Sequence, residues 1–127
     1  FWEELRHLHH LLAGDQQLWR ISVPPKLGPV IVSAIGRYMD VEACYDWSGG
    51  LVWLLVPASN DAGVTDIRRV IALYGGHATL IKATADVRAA IDVFQPLEPG
   101  LARLTASLKQ AFDPYGVFNP GRMYATI

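Results

Sequence analysis

Apolar and polar positions alternate with two different periods along this chain, and the period changes mark its elements. Phe1, Leu5, Leu8 and Leu12 recur at helical spacing, with Glu3, Arg6, His7 and His10 on the other side, so the spacing predicts a helix that Gly14-Asp15 ends. From Leu18 the period drops to two: Trp19, Ile21 and Val23 share one face, and Leu18, Arg20 and Ser22 the other, until Pro24-Pro25 stops the strand. Gly28-Pro29 opens a short apolar helix through Ile35, since proline in a first turn leaves no extra N–H unpaired. Val41 to Trp47 alternates again. Ser48-Gly49-Gly50 then turns the chain into Leu51–Val56, a run apolar on both faces, as a central strand is when both sides are covered. Asp61–Tyr74 reads as a helix with Val64, Ile67, Ile71 and Tyr74 on its stripe, Arg68 and Arg69 outward, and Gly75-Gly76 past its end. His77–Lys82 is the last strand.

Strand, helix, strand, strand, helix, strand is the split βαβ order. We therefore expect an α+β, ferredoxin-like sandwich: a four-stranded antiparallel sheet with both helices on one face. The N-terminal helix and the segment after Lys82 are additions to it. In that segment Pro99 opens a helix with the stripe Leu101, Leu104, Leu108 and Phe112, followed by two turn clusters, Asp113-Pro-Tyr-Gly116 and Asn119-Pro-Gly-Arg122.

Composition narrows the class. The chain has 127 residues, 51% hydrophobic and 18% charged, with a net charge of −1, which suits one globular domain and excludes the basic footprint of a nucleic-acid binder. Its longest uncharged apolar stretch, Leu51–Pro57, is far short of the roughly 20 residues of a membrane span. One cysteine, Cys44, cannot form an internal disulfide; we read it as a small buried hydrophobe in a reducing compartment. The chain starts at Phe1 inside a predicted helix, and we read it as one part of a longer protein.

If both helices cover the Trp19 face, the other face carries the polar chemistry. Arg20 and Ser22 lie there, with His77, Thr79 and Ile81 from the last strand and Glu42, Cys44 and Asp46 from the hairpin. A guanidinium fork and a neutral imidazole on one surface suit a small carboxylate, the first for charge and the second for a proton. Arg20 and His77 are the substrate-facing candidates. His7, His9 and His10 have no ligand spacing around them beyond Glu3, so we expect no metal. Gly49-Gly50 and Gly75-Gly76 match no nucleotide-binding glycine pattern. Trp47, beside Gly49, could cover a ligand.

The most specific stretch is Leu108-Lys-Gln-Ala-Phe-Asp-Pro-Tyr-Gly-Val-Phe-Asn-Pro-Gly-Arg-Met-Tyr124. It resembles the C-terminal signature of FAD-linked oxidases of the vanillyl-alcohol oxidase type. With Leu18-Trp-Arg-Ile-Ser-Val-Pro-Pro25, Gly75-Gly-His-Ala-Thr-Leu80 and Asp92-Val-Phe-Gln-Pro-Leu97, the likeness narrows to the FAD-binding (E) subunits of bacterial glycolate oxidases. The resemblance implies a single cap domain over 1–127, made of an N-terminal helix (1–17), a ferredoxin-like core (18–83) and a C-terminal helical extension and tail (84–127), with the FAD-binding domain elsewhere. It implies oxidation of glycolate, a 2-hydroxy acid, to glyoxylate with FAD, and an inactive fragment when alone. Asn119 and Arg122 would face the cofactor, and the partners would be a catalytic flavoprotein subunit and an iron–sulfur subunit, in the cytoplasm and associated with the inner membrane through that complex.

Two departures bear on the role. Related 2-hydroxyacid dehydrogenases carry a substrate-binding Arg where this chain has Ser22, and their histidine-rich H-x-G-D-G-N motif has no counterpart here. Substrate oxidation at this subunit and electron relay within a complex both remain open. A reading from another class is a ferredoxin-like ligand-binding or interaction module with no flavin; the long extension closing in Asn-Pro-Gly-Arg is what such a module does not need.

Overall fold

The computed structural model describes Glu3 and residues 9–124. The period-two segments become β1 (Gln17–Ser22), β2 (Glu42–Asp46), β3 (Leu51–Val56) and β4 (His77–Lys82), one sheet in the order β2-β3-β1-β4 with every neighbouring pair antiparallel. Between them run α2 (Gly28–Ile35) and α3 (Val64–Tyr74), giving the expected α+β split βαβ sandwich. Before the sheet lies α1 (His9–Leu12), and after it α4 (Ala85–Ala90) and α5 (Pro99–Phe112). Among the described residues no helix is long and apolar enough to cross a membrane. The chain divides into two compact units, 1–93 and 94–127.

In the first unit, alternation puts Trp19, Ile21, Val52, Leu54, Ala78 and Leu80 on one sheet face, where they pack with Ile31 and Ile35 of α2 and Ile67, Val70 and Ile71 of α3. Each such valine, leucine or isoleucine side chain, fully buried, contributes about 1.5–3 kcal/mol. Trp19 is the largest of them, and its indole N–H donates to the Ala62 carbonyl at 2.9 Å, so its one polar atom is not orphaned.

The opposite face is less open than alternation suggests. Leu11 of α1 packs on Leu18 and Leu55, with Cys44 and Trp53 against them. Lys82 fixes that helix end, its ammonium donating to the Leu12 carbonyl at 2.9 Å and to the Gly14 carbonyl, groups a helix C-terminus leaves unpaired. The apolar stripe Phe1, Leu5 and Leu8 lies outside the described residues, as do Trp2, Arg6, His7, the side chains of His9 and His10, and the last three residues of the tail.

Arg68 is a correction. The helical stripe puts it outward, yet its side chain is only 19% exposed: the guanidinium donates to the Asp92 carbonyl and stands 4.0 Å from the Asp92 carboxylate. The segment after β4 folds back beside α3, by way of α4, whose buried Val87 joins the core; the Leu80 N–H donates to the Val93 carbonyl at 2.9 Å. Burial lowers the Arg68 pKa and the Asp92 charge opposes that shift.

Candidate functional site

Register, which alternation alone does not give, sets the neighbours on the polar face. Two transverse rows cross the sheet: Cys44, Trp53, Arg20 and Thr79, then Asp46, Leu51, Ser22 and His77. Arg20 is therefore flanked by the Trp53 indole on one strand and Thr79 on the other. His77 pairs with Ser22 and is the diagonal neighbour of Arg20, a separation of about 7–8 Å in an antiparallel pair. A ligand of three or four heavy atoms can touch both. Arg20 is half-buried and has no hydrogen bond or ion pair among the described residues; His77 is exposed at the strand start.

Beyond β2 the chain does something a flexible turn does not. Trp47 and Ser48 take left-handed conformations, φ 49° and 56°. The Asp46 carboxylate accepts the Trp47 N–H at 2.7 Å, and the Gly50 N–H donates to the Trp47 carbonyl at 3.0 Å. For a bulky residue this backbone is strained, and such strain survives where surrounding bonds dictate it. The indole it presents is 68% exposed.

The second unit holds a different arrangement. Its helix α5 has no buried residue, and the stripe Leu101, Leu104, Leu108 and Phe112 faces solvent. Below the helix end, Asp113 is buried. Its carboxylate accepts from Lys109 Nζ at 2.7 Å and from the backbone N–H groups of Val117 and Phe118, both at 2.8 Å. The Lys109 hydrogen bond, aided by the two backbone donors, holds its pKa down at about 2 against partial desolvation. Lys109 also donates to the Phe118 carbonyl.

That loop leads into a turn with Asn119 at φ 48° and Gly121 at φ 70°. The turn brings Asn119 and Arg122 to one groove of about 580 Å³, walled by Leu97, Leu101, Met123 and Tyr124 and edged by Thr105 and Lys109. The two residues chosen from the tail motif thus line one groove, and Arg122 has no side-chain partner among the described residues. The sequence reading missed Trp53 beside Arg20 and the role of Asp113. The first needed the strand register; the second was signalled by Lys109 and Asp113 four apart at a helix end, the spacing of an ion pair.

Comparison with known proteins returned no matching family model and no matching solved structure. The chain is similar to glycolate oxidase subunit GlcE of Escherichia coli (strain K12), 37% identical over 129 aligned positions that cover all of this chain. It spans about a third of that protein, 32% of its length.

Proposed function

We propose that this chain is the C-terminal cap part of a flavoprotein subunit of a glycolate oxidase, with a single cap domain over 1–127 (helix 1–17, core 18–83, extension 84–127) and the FAD-binding domain outside it. The carrying observation is the 37% identity to a glycolate oxidase subunit along the whole chain, tail included.

The groove on the second unit is chemically suited to FAD: apolar walls for a planar body, and a guanidinium and a carboxamide for its polar, anionic part. Arg122 and Asn119 would contact it there, with the FAD-binding domain outside this chain holding most of the cofactor. When bound, FAD supplies the acceptor for the hydride equivalent that leaves the substrate carbon. On the sheet face, Arg20 binds the glycolate carboxylate through its fork, and Leu51 and Trp53 exclude water on one side. The His77 imidazole takes the hydroxyl proton as the carbonyl of glyoxylate forms. Ser22 and Thr79 add hydroxyls beside these two groups.

The exposed leucine stripe of α5 supports a role inside something larger, because a helix that fully buries none of its apolar residues gains little from folding alone. The partners are a catalytic flavoprotein subunit and an iron–sulfur subunit, in a cytoplasmic complex at the inner membrane. Ser22, in place of a second substrate-binding arginine, favours a second reading in which this subunit relays electrons and another oxidises glycolate. The test is the absorption spectrum of the purified full subunit. A flavin spectrum that bleaches on anaerobic addition of glycolate supports substrate oxidation here; a flavin that bleaches only with the partner subunits present supports relay; no flavin overturns both.

A further inference from the structure

The geometry points to Asp113 as a positioning residue that sets Asn119 and Arg122 over the C-terminal groove, so that the anionic part of the ligand meets a cation already in place. This rests on the flavin reading above and adds to it a residue that does not touch the ligand.

The chain of contacts is short and continuous. Asp113 follows the last residue of α5 and is held to that helix by Lys109, one turn back, at 2.7 Å. Its two oxygens also take the Val117 and Phe118 N–H groups, and the Gly116 N–H donates to the Asp113 carbonyl at 3.1 Å. The 113–118 loop is thereby folded back onto the helix, and Lys109 closes it from the other side through the Phe118 carbonyl. Asn119 comes next, in a left-handed conformation, and the Arg122 N–H returns to its carbonyl at 3.3 Å. Arg122 thus stands four residues past the last clasped position.

Charge sharpens the picture. Lys109 edges the same groove, but its charge is matched by Asp113, which leaves Arg122 as the groove cation without an ion pair among the described residues. A carboxylate whose lone pairs are taken by an ammonium and two loop amides does more than end a helix, which a glycine does alone. What it adds is a fixed loop, and a fixed loop removes ordering cost from binding. Asn119 and Arg122 need that, since neither is held by side-chain bonds of its own among the described residues.

The test is a double-mutant cycle read as FAD affinity, by flavin fluorescence titration of the full subunit stripped of cofactor. Asp113→Asn and Arg122→Ala are each expected to weaken FAD binding about tenfold, and the double variant by clearly less than the product of the two factors, because Asp113 acts through Arg122 together with Asn119. Faster amide exchange at Val117 and Phe118 in Asp113→Asn accompanies this. A double variant losing the product of the two factors overturns the positioning role while leaving the flavin site standing. Unchanged affinity in Arg122→Ala overturns both. Should Asp113→Asn fail to fold, Gly116→Ala strains the same loop, at φ 64° with open space around it, and must show a smaller loss that likewise shrinks in the Arg122→Ala background.

Discussion

The Asp113 carboxylate and the Lys109 ammonium stand 2.7 Å apart, one turn of α5 from each other, and two backbone N–H groups close on the same carboxylate. Its pKa is held down at about 2, below the ordinary 3.8, first by the Lys109 hydrogen bond. A carboxyl with a depressed folded pKa stabilises fully above its unfolded value and loses that contribution as pH falls through the folded one. The Val117 and Phe118 amide shifts, followed by NMR, should stay constant above about pH 4 and move with a midpoint near 2. A midpoint above 4 would mean the carboxylate is not clasped.

At the start of β4 the backbone leaves no room for a side chain. Gly76 has φ 115°, and a Cβ there would stand 2.4 Å from the Ser22 carbonyl oxygen, next to the strand that carries Arg20. Gly75 has φ 81° with nothing within 4 Å. Urea unfolding should therefore rank Gly76→Ala, costing about 2–3 kcal/mol, well above Gly75→Ala at about 1 kcal/mol. Equal costs would show that the close approach to β1 is relieved without penalty.

Leu104 and Leu108 are each more than half exposed on α5. Exposed apolar stripes associate. By sedimentation velocity, the 127-residue chain should self-associate as concentration rises, and the pair Leu104→Glu and Leu108→Glu should abolish this; a monodisperse parent chain would remove the stripe as a docking surface.

Much of the sandwich was legible because its period-two and period-3.6 segments are cleanly separated by Pro24-Pro25, Gly36 and Gly75-Gly76. Arg20 and Ser22 fell on the polar face for the same reason. Their partners were not legible: which residue of β3 or β4 lies beside Arg20 depends on hydrogen-bond register, set by contacts distant in sequence. Arg68 misled for a related reason, since the face of a helix reads as outward until a later segment, here 91–93, packs on it. The six-residue α4 is too short to leave a periodic trace. Trp47 is a backbone effect, a φ of 49° that no pattern of apolar residues encodes.

Arg20 and His77, diagonal neighbours on one face, carry the central claim of a carboxylate-binding, proton-accepting surface. The most direct measurement is the steady-state oxidation of glycolate by the assembled complex carrying Arg20→Ala or His77→Ala. Arg20→Ala is expected to raise KM with a loss in kcat/KM of about 10–100-fold, and His77→Ala to lower kcat by about 100-fold. Glycolate turnover unchanged in both variants would contradict the account.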